Sequence, residues 1–376
     1  MEEFDHMRGT EPVPFLDLAR QARELEEPLR EAFTRVLVRG NYILGEEVEA
    51  FEREFAAFCG AARAVGVASG TDALTLALKA LGVGPGKEVI LPAFSAPPTA
   101  VAVALTGARL VFADVDPATG NIDPGEVEGK ICERTTALVV VHLYGRMADM
   151  PALLEIAGRH GVPVVEDCAQ AHGASLQGRG AGTWGVAGCF SFYPTKNLGA
   201  LGDAGMVITD DTDLAERIKS LRDYGREERD TLRLVGHNSR LDELQAAFLR
   251  VKLRYLPEWN RRRREIASFY RERLEGLPLG LPEFDTHDHS LHLFVVDTSR
   301  RDELREHLRR LGIQTVVHYP VPLHLQPPFL DGSQTCPAAE GKALRVLSLP
   351  LYPQMRDGEV ERTAEAVAGF FQGGEA

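Results

Sequence analysis

The chain has no apolar run long enough to cross a bilayer, no C-x-x-C pair and no excess of basic charge, and each absence closes off a class of function. No membrane span is expected. The opening residues, Met1 to Arg8, are acidic and polar, so no signal peptide is expected either. Five cysteines, at 59, 132, 168, 189 and 336, are widely spaced and odd in number, which fits a reduced cytoplasm better than a disulfide scaffold. The formal charge of −13 disfavours nucleic acid and acidic membranes as partners, although a local basic pocket for a diphosphate stays open. Nucleotide fingerprints are also missing. Gly82-Val83-Gly84-Pro85-Gly86-Lys87-Glu88 looks like a phosphate loop, but Leu81 stands where its first glycine belongs and Glu88 where Ser or Thr belongs. It reads as a turn before a strand. No G-x-G-x-x-G follows the first strand. His287, His289 and His292 sit in or near a polar turn, and no metal site is expected there. Arg261 to Arg264 fall inside a helical pattern, so they spread around the helix and form no flat basic stripe.

What is present reads as an α/β chain. Its 376 residues exceed one typical core, which predicts two domains. Apolar runs beginning at Ala64, Glu88, Arg109, Ala137, Val162, Gly188 and Ala204 alternate with helical patterns, and this predicts a mostly parallel seven-stranded sheet between helices. Helix punctuation agrees. The first sixty residues read as helical, with Pro12 and Pro14 before a turn and an amphipathic stretch from Glu46 to Cys59 closing at Gly60. After V-H-L-Y-G, Asp149 can cap, Pro151 sits in the first turn and Gly161 ends the helix. From Leu241 to about Gly276 only Pro257 breaks the pattern, so a long, kinked helical segment is expected to join the domains. A strand from Ser290 to Thr298, a helix from Asp302 to Leu311 and a second strand from Gln314 to Tyr319 predict a smaller C-terminal α/β domain. The expected division is 1–250 for the N-terminal segment and large domain, and 251–376 for the linking helix and small domain.

The most informative stretch runs from Val164 to Gly205. A β-branched run ends in Asp167, placing a carboxylate at the carboxyl end of a buried strand, where open α/β sheets bind ligands. A second run ends near Phe192, just before Lys196, about one strand-to-strand excursion further on. An acid and an amine then face one pocket. Pyridoxal phosphate needs that pair: a lysine to carry its aldehyde as a Schiff base and a carboxylate to keep the ring nitrogen protonated. Taken singly, Asp167 reads as a cap and Lys196 as a surface amine. A third element shifts the balance, because Ser69-Gly70-Thr71-Asp72-Ala73 follows a short strand and opens a helix, the arrangement that cradles a phosphate. Cys168 beside Asp167 reads as a small core residue.

Further motifs carry a family resemblance. They are F-L-D-L near Phe15, N-Y-I-L-G at Asn41, A-S-G-T-D-A-L at Ala68, V-H-L-Y-G at Val141 and E-D-C-A-Q-A-H-G-A at Glu166. S-F-Y-P-T-K-N-L-G at Ser191, G-H-N-S-R-L-D-E-L-Q-A-A at Gly236, H-Y-P-V-P-L-H at His318 and L-S-L-P-L-Y-P at Leu347 complete the series. The chain resembles the DegT/StrS-type nucleotide-sugar aminotransferases, a branch of the fold type I pyridoxal phosphate enzymes, over nearly its whole length. The resemblance implies that Lys196 forms the covalent link to the cofactor and acts as general base. It implies that Asp167 pairs with the pyridinium nitrogen and Gln170 contacts the ring's phenolic oxygen. Gly70, Thr71 and Ser191 would hold the phosphate. Asn238 would reach the phosphate of a neighbouring subunit's cofactor, which requires a homodimer or higher assembly. His318, Tyr319, Asn41 and Tyr42 would border the sugar pocket. The implied substrates are a nucleotide-linked keto-deoxysugar and an amino-acid donor, L-glutamate or L-glutamine.

Two positions depart from the family pattern. Ala96 stands where an aromatic residue usually stacks on the ring, with Phe94 and His142 as the candidate substitutes. Arg146 stands where glutamine is common, and reads as a surface residue slightly ahead of an anion contact. Rival readings are a keto-cyclitol aminotransferase, a sugar dehydratase of the same fold, in which histidine replaces the lysine, and a noncatalytic regulatory protein that binds pyridoxal phosphate. Lys196 argues against the dehydratase, and the complete set of Asp167, Gln170 and Lys196 weighs against the regulatory protein.

Overall fold

Seven short runs of β-branched and small residues line up as one sheet in the computed structural model, which describes residues 11–228, 230–284, 288–330 and 332–373. The strands are β1 (Arg63–Val67), β2 (Glu88–Pro92), β3 (Arg109–Ala113), β4 (Thr135–Val141), β5 (Val164–Asp167), β6 (Ala187–Ser191) and β7 (Gly205–Thr209). Their spatial order is β1-β7-β6-β5-β4-β2-β3. Strands β2 to β6 pair in parallel, while β7 runs antiparallel to both of its neighbours. Alternation along the strands explains the two apolar layers. Val65, Leu91, Val139, Val165 and Val207 face one buried cluster, and Ala64, Ile90, Val140, Val164 and Ile208 face the other. Each buried valine, leucine or isoleucine among them contributes about 1.5–3 kcal/mol, so the sheet is a rigid platform for whatever sits at its edge.

Because β7 is antiparallel to β1 and to β6, these two run in the same direction. The carboxyl end of β1, where the helix Gly70–Ala80 begins, therefore opens on the same edge as Asp167 and Ser191. The register shows how close they are. Gly205 pairs with Ser191 on one side and with Val67 on the other.

The helical segment after residue 241 divides into Glu243–Leu253 and Leu256–Leu274, with Pro257 in the first turn of the second helix. That second helix packs with β8 (Phe294–Asp297), the helix Arg301–Arg310, β9 (Val346–Leu349) and the helix Asp357–Gln372 around Ile266, Tyr270, Phe294, Leu304, Leu347 and Val367. Val13 belongs to the same cluster and bridges to Ile313, so the N-terminal segment reaches the C-terminal core. The expected strand from Gln314 to Tyr319 does not form. The amide of Gln314 donates to the carbonyl of Val13, and only Val316 makes a bridge, to Ser348; the partner of β8 is β9 instead. The backbone beyond Val316 turns toward the large sheet, where the carbonyl of His318 accepts a hydrogen bond from the Tyr144 hydroxyl.

Candidate active site

The helix Gly70–Ala80 starts at the sheet edge with Ser69 as its cap, whose hydroxyl accepts the amide of Asp72 at 3.1 Å. Gly70 is required by its surroundings: a β-carbon there would stand 2.5 Å from the Ser191 β-carbon, closer than atoms can pack. The two backbones thus form a narrow cleft at the positive end of a helix, with Thr71 half-buried beside it. Asp72 closes one side, accepting from the Ser239 hydroxyl at 2.8 Å and bonding His237 at 3.3 Å. Asn238, between those two residues, is exposed.

Asp167 is buried at the end of β5. Its Oδ2 accepts from the Thr99 hydroxyl at 2.8 Å and its Oδ1 from the Ala169 amide at 3.1 Å. Burial raises its pKa, opposed by those two hydrogen bonds and by the charge of Lys196. Lys196 sits in the loop after β6 and is half-buried. Burial pushes its amine down to about 8 and Asp167 resists the shift, so the two side chains lie within each other's field. Asn197 fixes this loop, donating to the Ser290 carbonyl at 2.8 Å and to Asn260 at 3.0 Å.

Gln170 is clamped on both sides. Its Oε1 accepts the Tyr144 amide at 2.6 Å and its Nε2 donates to the Tyr319 hydroxyl at 2.9 Å. Gly145 lets this approach happen, since with φ +99° its missing β-carbon would lie 2.3 Å from the Ser290 hydroxyl. His318 bonds the Ser348 hydroxyl at 2.8 Å, and burial together with Lys196 holds it at about 4, a neutral ring. The structure therefore brings Asp167, Gln170, Lys196, His318 and Tyr319 to one site, next to the cleft of Gly70 and Ser191. Asn41 and Tyr42 are exposed instead beside the start of the helix Glu243–Leu253, where the Glu243 amide donates to the Tyr42 carbonyl.

Neither expected substitute for the stacking aromatic offers a free ring face, because Phe94 and His142 are both 0% exposed. His142 accepts the Ala148 amide on Nδ1 at 3.1 Å, so its Nε2 carries the proton and donates to Glu166 at 2.8 Å. Glu166 also accepts the amides of Gly182, Trp184 and Gly185 at 2.7–2.9 Å. His142, Glu166 and Cys168 bring ligand-type atoms close together, but the donors of protein amides and the imidazole already occupy the carboxylate. Ala96 caps the helix Pro97–Ala104, which delivers Thr99 to Asp167. Arg146 donates to the Glu283 carbonyl at 3.2 Å. His289 and His292 take separate partners, the Leu291 amide and Asn197, and His287 lies outside the described residues.

These residues suit pyridoxal phosphate: a narrow cleft that a β-carbon would fill, a buried carboxylate whose donors among the described residues are the Thr99 hydroxyl and the Ala169 amide, and an amine with a lowered pKa. Residues 23–368 match the DegT/DnrJ/EryC1/StrS aminotransferase family. The chain belongs to that family. It is a pyridoxal phosphate-dependent aminotransferase of fold type I. A dTDP-3-amino-3,4,6-trideoxy-alpha-D-glucose transaminase of Streptomyces venezuelae is 49% identical over 364 residues, covering 95% of this chain and 96% of the relative. The crystal structure of S. venezuelae DesV in complex with a ketimine intermediate superposes with a TM-score of 0.94 at 48% identity, covering 96% of this chain and 99% of that one. A Bacillus subtilis structure, ntda with bound cofactor PMP, superposes with a TM-score of 0.92 at 32% identity, covering 97% and 86%.

Sequence reasoning missed several members of this aminotransferase site. Thr99 reaches Asp167 from 68 residues away, and no spacing announces it. Arg263, one of four successive arginines in the helical pattern, is buried.

Proposed function

We propose that the enzyme transfers an amino group from L-glutamate or L-glutamine to the keto carbon of a nucleotide-linked deoxysugar, within amino-sugar synthesis in a reducing cytoplasm. The observation that carries this reading is the pairing of Asp167 and Lys196, each shifting the other, beside the cleft of Gly70 and Ser191. The sugar class is supported by the relative that makes a dTDP-linked amino-deoxysugar.

When bound, pyridoxal phosphate supplies an electron sink that makes a proton on the donor's α-carbon acidic. Gly70, Thr71 and Ser191 hold its phosphate, with the helix dipole favouring the negative charge. Asp167 would accept the N–H of the ring nitrogen and keep it charged. Gln170 orients the phenolic oxygen, itself held by the Tyr144 amide. Lys196 Nζ would move the proton: with a pKa of about 8, part of the population is neutral near pH 7 and can take it from the donor's α-carbon and pass it to the cofactor's carbonyl carbon within the same half-reaction, the reverse transfer serving the second. His318 and Tyr319 border the sugar, and the neutral imidazole of His318 adds no competing cation.

The enzyme acts as a homodimer in this reading, with Asn238, Asn41 and Tyr42 completing the partner's site. Exposed apolar residues support that assignment. Tyr42, Ile43 and Leu201 are about half exposed around the start of the helix Glu243–Leu253, next to which Leu201 bonds Gln245 at 2.8 Å. The test is product analysis: incubation with a dTDP-linked 3-keto-deoxysugar and L-glutamate, followed by mass spectrometry. An aminated sugar with stoichiometric 2-oxoglutarate supports the reading. Release of 2-oxoglutarate only with a keto-cyclitol acceptor would move the enzyme to that substrate class.

A further inference from the structure

Residues 237–239 pass the start of the helix Gly70–Ala80 and are fastened there twice. The amides of His237 and Ser239 donate to the carbonyls of Leu221 and Arg222 at 3.1 and 2.8 Å, and Asn238 bridges to Asp223, which keeps the backbone extended. The Ser239 hydroxyl accepts the Ala68 amide at 3.2 Å and donates to Oδ2 of Asp72 at 2.8 Å, while His237 bonds Oδ1 of Asp72 at 3.3 Å. Ala68 and Asp72 flank the cleft of Gly70, so one buried hydroxyl ties this segment to both ends of the phosphate cradle. Alternation then sets the direction of the residue in between. Along an extended backbone the side chains of His237 and Ser239 share a side, and that of Asn238 takes the other. With both neighbours turned to Asp72, Asn238 points away from the cleft of its own subunit. It is exposed, and among the described residues its side-chain amide has no hydrogen-bond partner. The chain just before it is apolar and uncovered: Leu232, Leu234 and Val235 are exposed, the last to 93%.

We propose that Asp72 and Ser239 are positioning residues for the second cofactor site of the homodimer. The brace they form aims Asn238 at the phosphate bound by the other copy, so the helix start that cradles one phosphate also sets the reach of the residue serving the other. The inference rests on the homodimer reading. An Asn side-chain NH2 can donate to a phosphate oxygen, but a donor on an exposed segment adds little affinity unless its direction is fixed before the ligand arrives. The Asp72 carboxylate supplies that direction by holding both ends of a three-residue segment. The exposed apolar residues just before Asn238 suit a segment that a second copy covers. A brace of this kind weakens the partner's site when it is cut and spares its own.

Hybrid dimers separate the two sites. Apoprotein is titrated with pyridoxal phosphate and the visible band of the lysine-bound cofactor is read, so a Lys196→Ala chain gives no signal and the other chain alone reports. In the Ser239→Ala homodimer the Kd rises about fivefold or more, as expected when a charge-assisted hydrogen bond is held out of line. A hybrid of one Ser239→Ala chain with one Lys196→Ala chain returns to within about twofold of the hybrid of wild-type and Lys196→Ala chains, because the reporting site faces an intact brace. A hybrid of a wild-type chain with a chain carrying both substitutions stays weak, although the reporting chain is unaltered. Weakness that travels with the reporting chain instead makes Ser239 a support of its own cradle and overturns the proposal; so does an unchanged Kd in the Ser239→Ala homodimer. The same hybrids made with Asn238→Ala report on the homodimer reading itself. Asn238 acting across the dimer while Ser239 acts within its own chain sinks the brace alone. Asn238 acting within its own chain, or a wild-type protein that light scattering finds monomeric, removes the homodimer reading and the proposal with it. If Ser239→Ala does not fold, His237→Ala removes the other arm of the brace and is read in the same hybrids against the same outcomes.

Discussion

The Thr99 hydroxyl donates to Oδ2 of Asp167 at 2.8 Å, joining the first turn of the helix Pro97–Ala104 to the end of β5. Burial raises the Asp167 pKa, and this hydrogen bond is the largest influence opposing it. Thr99→Val, nearly equal in volume, removes the opposition. The carboxyl then ionises at higher pH, so the acid limb of the pH–rate profile for the donor half-reaction moves upward, and the rate at neutral pH falls by about tenfold. An unmoved acid limb would show that Asp167 does not govern the reaction.

Gly70 makes a second prediction. In Gly70→Ala the new β-carbon meets Ser191 at 2.5 Å, and one of the two backbones must shift. Stability drops by about 1–3 kcal/mol. Cofactor affinity weakens by about tenfold or more as the cleft widens. Titration of apoprotein with pyridoxal phosphate, followed by fluorescence quenching, measures the second effect separately from the first.

Glu166 gathers three backbone amides and the His142 imidazole on one fully buried carboxylate. Glu166→Gln turns one acceptor into an NH2 group facing donors. The cost is about 3 kcal/mol or more, read as a lower urea midpoint, because a buried donor is then left opposite another donor. A variant as stable as the wild type would mean that the network is not buried as described.

His172 links the fold to acid stability. The ring lies against Phe190 and Phe192, and burial pushes its pKa from 6.5 down to about 3. Between those pH values the unfolded chain binds a proton that the folded ring refuses. The stabilisation is therefore complete above pH 6.5 and is lost progressively as the pH falls toward 3. His289, also pushed down to about 3, contributes with the same sign. In His172→Phe the urea midpoint declines less steeply from pH 6.5 to acid; parallel curves for the two proteins would refute the assignment.

Much of this was legible in the sequence because it is written locally. The seven strands follow from short apolar runs between helix signals, and the helix Glu46–Cys59 closes at Gly60 as its pattern predicts. Asp167, Gln170 and Lys196 fall in two quoted motifs whose strands are neighbours in the sheet, so their meeting follows from the parallel pairing of β5 and β6. What stayed hidden depends on contacts distant in the chain. Thr99 reaches Asp167 from a different helix. The segment from Gln314 to Tyr319 has strand-like residues, but its hydrogen bonds go to Val13 and Ser348, and no periodicity shows that competition. Arg263 looks like its three neighbours in sequence, and only the packing of its helix against residues 291–292 and 351 buries it.

The central claim is that Lys196 and Asp167 operate a cofactor that exchanges an amino group. The direct measurement is the near-ultraviolet and visible spectrum of the protein loaded with pyridoxal phosphate, recorded before and after L-glutamate and then L-glutamine, for the wild type, Lys196→Ala and Asp167→Asn. The account predicts that a donor converts the visible band of the lysine-bound cofactor to the pyridoxamine phosphate spectrum in the wild type. Asp167→Asn keeps its fold and loses most of the rate, and Lys196→Ala does not turn over. A wild-type band unmoved by either donor, or undiminished conversion in Lys196→Ala, would contradict it.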